Sequence, residues 1–213
     1  MKKLTIFFCG ISFLAYAMLA AATEDNATTA SAELKSLLQQ AQSIKGDFEQ
    51  RLFDRDHHLL QTTQGTFTLQ RPGNFFWKTS PPYEQVVVGN SEKLWVYDPD
   101  LEQVTVHNQD QRQHTSPAHL LSGELDSLEE HYRVTRETKD GIRRFTLMTK
   151  DDNGMFARLQ LDYRNSLLAG LHFEDNMGQV TELSFSNVEM NPTIDPKMFS
   201  FQVPAGVDVI VDD

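Results

Sequence analysis

The sequence predicts a mainly β domain, an antiparallel meander of roughly ten or eleven short strands accompanied by two or three helices. Three observations lead there. From Asp47 onward apolar residues recur with a period of two, turn residues punctuate these runs at regular intervals, and one strongly amphipathic stretch precedes them.

The first residues read as an address. Lys2 and Lys3 precede an almost wholly apolar run from Leu4 to Leu19, followed by Ala20-Ala21-Ala22 and the polar Thr23-Glu24-Asp25. That order is expected of a secretory signal cleaved after Ala22, with residues 23–213 forming a single domain. The only cysteine, Cys9, falls inside the removed part and is not placed for lipidation. The mature chain is therefore expected to lack disulfides, thiolate metal sites and a cysteine nucleophile.

Ser31 is expected to cap a helix running through Ile44. Leu34, Leu37, Leu38, Ala41 and Ile44 fall on one face, and Gly46 closes it. Such a helix must lie on something apolar. Phe48, Gln50 and Leu52 then alternate with Glu49, Arg51 and Phe53 before a polar turn at Asp54 to His58. Leu59 to Arg71 follows, with Phe67 and Leu69 sharing a face, and Pro72-Gly73 breaks it. Further strands are expected at Asn74 to Thr79, Tyr83 to Val88, Lys93 to Asp98 and Leu101 to His107. Ser116-Pro117 opens a short helical segment over Ala118 to Ser122, and Glu124 to His131 suggests another. Strands resume at Tyr132 to Thr138, Ile142 to Thr149, Phe156 to Tyr163, Leu167 to Phe173 and Gln179 to Val188, with a tail strand at Val207 to Val211.

The chain carries 19 Lys+Arg against 30 Asp+Glu, a net charge of −11. Without Lys2 and Lys3 the mature charge is near −13, which repels nucleic acid and anionic head groups and excludes nucleic-acid binding as a reading. No later apolar run approaches the ~20 residues that span a bilayer. Several strands are apolar on both faces: Phe75 and Trp77 point one way and Phe76 the other, and Leu94-Trp95-Val96-Tyr97 behaves alike. Either both faces are covered or one lines an apolar cavity.

Nothing points to catalysis. His57 and His58 are adjacent, so their rings diverge in extended chain and suit a solvated turn better than a shared ion. Asp98 and Asp100 flank Pro99, as a turn between strands requires. No serine sits in a nucleophile elbow and no glycine-rich loop precedes a helix.

An ordered string of landmarks carries a resemblance. Gly46-Asp47-Phe48-Glu49-Gln50-Arg51 follows the amphipathic helix, and then come Gly65, Arg71-Pro72, Phe75, Trp77 and Pro81-Pro82. Leu94 to Asp98 precedes Leu101 to Val104, and Pro117, Leu120-Leu121, Gly178-Gln179, Phe199-Ser200-Phe201 and Pro204 to Ile210 complete the series. Each piece alone is weak, but in this order over essentially the whole mature chain they resemble the outer-membrane lipoprotein carrier (LolA) family.

The resemblance implies an open, incomplete antiparallel β-barrel, a half-barrel of about 11 strands whose concave apolar face is covered by short lid helices. Leu34, Leu37 and Leu38 would belong to one lid helix, and Leu120 and Leu121 to another. Phe67, Leu69, Phe75, Trp77 and Trp95 would wall the cavity, and Arg71 would latch the lid by donating to its backbone carbonyls. It further implies a monomeric periplasmic carrier, not an enzyme, without cofactor or metal. Acylated lipoproteins would come from an inner-membrane ABC transporter like LolCDE and pass to an outer-membrane receptor like LolB. That receptor has a lipidated N-terminal cysteine, which this sequence lacks, so the carrier is the expected role. The alternative is a lipid-sensing module of the same fold, as in periplasmic envelope-stress regulators; those carry a second domain for which the chain leaves no room.

Overall fold

The computed structural model describes residues 29–108, 121, 128–150 and 156–212. The expected signal at 1–22, and Pro117 and Leu120 of the second lid segment, lie outside the described residues. A helix, α1 (residues 29–40), leads into twelve strands. In chain order these are β1 (Ser43–Phe53), β2 (Leu59–Gln70), β3 (Asn74–Thr79), β4 (Gln85–Gly89), β5 (Lys93–Asp98) and β6 (Gln103–Asn108). A short helix (Leu128–His131) follows, then β7 (Tyr132–Lys139), β8 (Ile142–Thr149), β9 (Phe156–Arg164), β10 (Leu167–Asp175), β11 (Val180–Met190) and β12 (Asp208–Asp212).

All twelve strands form one sheet in the order β12-β6-β5-β4-β3-β2-β1-β11-β10-β9-β8-β7, with β12 and β7 at its two open edges. Two meanders, β1 to β6 and β7 to β11, meet where β1 pairs with β11. The sheet is antiparallel except that β12 runs parallel to β6, with Val209 opposite Val104. The sheet is strongly curled. Arg71, just past β2, interacts electrostatically with Tyr163 on β9, four strand steps away. In a flat sheet that separation would be about 19 Å.

One core fills the inner face. Ala30, Leu34, Leu37, Leu38 and Ala41 join Ile44, Phe48 and Phe67 from one meander and Phe145, Leu159, Leu161 and Leu171 from the other. Leu34, Leu37 and Leu38 are almost fully buried, each contributing roughly 2 kcal/mol. Val88, Val104 and Val106 are buried on the outer face. The 3-10 turn Pro196–Phe199 packs there, with Asn90 Nδ2 donating to Phe199 O at 3.2 Å and Tyr97 meeting Phe201 at 5.6 Å between rings.

The N-terminal helix departs from expectation at both ends. Ser31 is not its cap: the helix already includes residues 29 and 30, because Ala30, Leu34 and Leu37 extend the apolar stripe one turn upstream. It also ends before Ile44 and Gly46, which are both strand residues. The stop comes from far along the chain. Asn191 Nδ2 donates to Gln40 O, while Asn191 Oδ1 accepts from the N–H groups of Gln42 and Ser43 at 2.8 and 3.3 Å. Helix-terminal groups that lack intrahelical partners are thereby satisfied by a tertiary contact.

Candidate functional site

Strand alternation sorts the inner face. Register places Ile44, Phe67, Leu69, Phe75, Trp77 and Val87 on one side of the sheet. Across the β1–β11 seam, Phe185, Leu183 and Leu171 continue the same side. Between them lies a cavity of about 220 Å³ lined by Leu69, Phe75, Trp77, Val87, Leu121, Leu171, Leu183 and Phe185. All eight are apolar, and Leu121 is the one contributed by a helical residue outside the sheet.

The aromatic rings interlock. Phe48 stacks on Trp77 with centroids 4.0 Å apart, and Phe67 lies 5.7 Å from Trp77 and 4.8 Å from Phe185. These contacts fix the wall in offset and tilted geometries that favour aromatic pairs. Glycine makes room for Phe75: a Cβ at Gly89 would sit 2.1 Å from its ring.

Leu69, Phe75 and Trp77, expected in the wall, line this cavity, and so does Leu121, expected in the lid. Phe67 lies beneath the lining, 1% exposed, and Leu34, Leu37 and Leu38 pack in the same core from α1. Trp95 is placed elsewhere. It pairs with Val88 and Val106, residues that alternate onto the outer face, so it cannot wall this cavity. Doubly apolar strands imply either two covered faces or an apolar cavity, but not which face each ring occupies. Val87, Leu171, Leu183 and Phe185 were not singled out in the sequence; their alternation was legible, but the seam that brings them together is a long-range pairing.

Arg71 stands where α1 meets the sheet. Its backbone N–H donates to Gln42 O at 2.9 Å, and its half-buried side chain extends toward Tyr163. Burial lowers the guanidinium pKa, and the nearby Tyr163 phenol opposes that. Tyr163 is itself buried, which pushes its phenol well above the ordinary range against the charges of Arg71 and Arg143. A half-buried cation favours partners that offer oxygen acceptors. The helix is tied down at its other side as well. Glu33 accepts from Arg136 of β7 and, at 2.7 Å, from Arg143 of β8. Burial raises the Glu33 pKa, but the two guanidinium partners outweigh it and the net shift is downward.

Two acidic turns serve structure. Asp54, Asp56 and His58 bring ligand-type atoms within 4.8 Å, but Asp54 Oδ1 accepts the N–H groups of Asp56 and His58 while Oδ2 meets the His58 ring at 3.1 Å. Asp98 Oδ1 likewise accepts from the N–H groups of Asp100 and Leu101, the turn that its sequence requires. The hydrocarbon-lined chamber can shelter apolar chains, and its described lining residues include no acid, base or nucleophile.

A family model described as outer membrane lipoprotein carrier protein LolA matches residues 39–202. An outer-membrane lipoprotein carrier protein from Chromohalobacter salexigens is 43% identical over 185 residues, spanning 86% of this chain and 88% of the relative. Another of that name from Pseudomonas aeruginosa is 39% identical over 196 residues, spanning 92% and 94%. Among solved structures, an uncharacterized conserved protein from Thermus thermophilus is similar in fold, with a TM-score of 0.52 at 11% identity over 84% of this chain and 99% of that one.

Proposed function

The chain belongs to the outer membrane lipoprotein carrier (LolA) family, and from that premise we propose that its apolar chamber shelters the acyl chains of lipoproteins in transit. The observation that carries this reading is the chamber itself, seven apolar side chains drawn from both meanders with Leu121 beside them. Burying hydrocarbon is worth ~0.8 kcal/mol per CH₂, so one 16-carbon chain exposes roughly 12 kcal/mol to water. Free passage through an aqueous compartment is therefore prohibitive, and a carrier must cover most of that surface.

It must also let go. At about 220 Å³ the chamber is smaller than typical ligand pockets of ~300–1,000 Å³. Leu34, Leu37 and Leu38 occupy the neighbouring inner-face core. Loading then requires lid side chains to withdraw, and their return offsets part of the cargo's binding energy. In this reading α1 and the segment around Leu121 act as the lid, Phe67, Leu69, Phe75 and Trp77 as the wall with its backing, and Arg71 as the latch of the empty state.

The same reading makes the protein a monomeric, non-enzymatic periplasmic carrier, exported through a signal at residues 1–22, that needs no cofactor. It receives cargo from a LolCDE-like inner-membrane transporter, whose ATP drives loading, and delivers it to a LolB-like receptor. A lipid-sensing module of the same fold would need a similar chamber, and the relatives' designation as carriers favours transport. Depleting the protein in its own cell should leave outer-membrane lipoproteins stalled at the inner membrane. Unchanged lipoprotein sorting after depletion would rule the reading out.

A further inference from the structure

The inner face changes character at one level across five strands. Next to the chamber lie Phe67, Trp77, Val87 and Val96, paired successively in register. One pleat further along, Thr79 pairs with Gln85, which leads across to Asp98 at the end of β5; one pleat beyond that, Gln50 pairs with Thr63. Gln61 continues the series on β2. These side chains line a second cavity of about 470 Å³, together with Tyr83, Glu84, Asp100 and Leu101 from the loops at its rim and Trp77. Trp77 therefore faces both cavities, one apolar and one polar. Its stacked partner Phe48 lies over Gly65, where a Cβ would come within 2.7 Å of the Phe48 ring and 1.9 Å of Lys78 O. The two rings form a partition that any side chain at Gly65 would disrupt.

The polar cavity is built for neutral hydrogen bonding. Among the described residues, the side chains of Gln50, Gln61, Thr63, Thr79 and Gln85 take no part in the intramolecular hydrogen bonds. Each amide or hydroxyl can both donate and accept, which suits peptide and ester groups. Of the three carboxylates in the lining, Glu84 pairs with Lys78 at 3.1 Å and Asp98 holds its own turn, while Asp100 is exposed at the rim. An amphiphile with hydrocarbon chains joined through amide and ester linkages to a peptide would find both of its parts served on either side of Trp77.

Resting on the carrier reading above, we propose that this second cavity binds the polar linkage of the cargo, the amide and ester groups of the acylated N-terminal residue and the first backbone units that follow. The chamber thus takes the chains and the polar cavity sets how the cargo is oriented.

Calorimetric binding to the mature protein tests this with two probes, a synthetic lipopeptide bearing an acylated N-terminal cysteine and four neutral residues, and palmitate. Thr79→Val combined with Gln85→Leu should weaken the lipopeptide about tenfold, the worth of one or two hydrogen bonds, and leave palmitate unchanged. Unchanged lipopeptide affinity, or equal weakening of both probes, overturns the proposal while the carrier reading stands. If the parent protein binds neither probe, the carrier reading itself fails and takes this one with it. Should the double variant not fold, the near-isosteric Thr79→Val alone is read by the same two criteria.

Discussion

Arg71 concentrates the problem of release in one side chain. It sits half-buried at the α1–β1 corner, its backbone fastened to Gln42 and its guanidinium drawn toward buried Tyr163. If it latches the lid of the empty carrier, Arg71→Leu removes charge-assisted bonds worth roughly 1.5–3 kcal/mol. The closed state loses stability relative to the loaded one, so cargo should stay trapped on a folded protein. A transfer assay with purified receptor reads this: the variant should bind cargo at least as well as the parent and hand it over poorly. Normal handover would reduce Arg71 to a structural arginine. The position was legible in the sequence as a strand end before Pro72, but its surroundings were not, since Tyr163 reaches it only through the curl of the sheet. Trp95 shows the opposite limit. Its aromatic character was plain, yet only the pairing with Val88 and Val106 places it on the outer face.

At the scale of elements, local pattern gave strand positions well and helix ends poorly. Asn74–Thr79, Lys93–Asp98 and Ile142–Thr149 fall where alternation and turn residues put them. Periodicity predicts too long a helix because Ala41 and Ile44 remain buried after the chain turns into β1, so their spacing mimics another helical turn. Its true stop is Asn191, held at φ 56° about 150 residues away. Asn191→Gly keeps that backbone accessible while removing the side-chain bonds. It should cost about 1–2 kcal/mol in urea denaturation and speed amide exchange in α1; unchanged exchange there would show that the helix ends without this cap. A second tie holds β8, β9 and β10 together. Asp162, 6% exposed, accepts from Arg144 Nε and Nη2 at 2.7 Å each and lies 3.2 Å from His172 Nε2. Burial raises its pKa, but the bonds and charges of Arg144 and His172 outweigh that and hold the carboxyl well below the usual range. With its folded pKa under the unfolded value of about 3.9, it stabilises the fold above that pH and stops doing so as pH falls toward the folded value. Stability should therefore drop on acidification below about pH 4, and Asp162→Asn should flatten that drop. At neutral pH the variant should lose about 2 kcal/mol, less than the 3–5 of a fully buried pair because the Arg144 side chain keeps 35% exposure. An acid profile unchanged by Asp162→Asn would assign the loss to other carboxylates.

For the molecule as a whole, the decisive feature is a single sheet left open and curled on itself. Two meanders could each be read from the sequence, but the seam between β1 and β11 and the parallel docking of β12 on β6 join segments more than a hundred residues apart. No short-range pattern encodes such pairings. The seam brings Leu171, Leu183 and Phe185 opposite Leu69, Phe75 and Trp77, and a chamber exists only because it does. The central claim is that this chamber captures acyl chains. Phe75→Glu tests it most directly, because a carboxylate buried without a partner costs several kcal/mol unless it protonates, and Phe75 lines the chamber. The measurement is co-purification of acylated cargo from inner-membrane vesicles, with circular dichroism to establish that the variant is folded. The account predicts that the parent protein extracts cargo and that folded Phe75→Glu extracts little. A folded Phe75→Glu protein that captures cargo as well as the parent would contradict it.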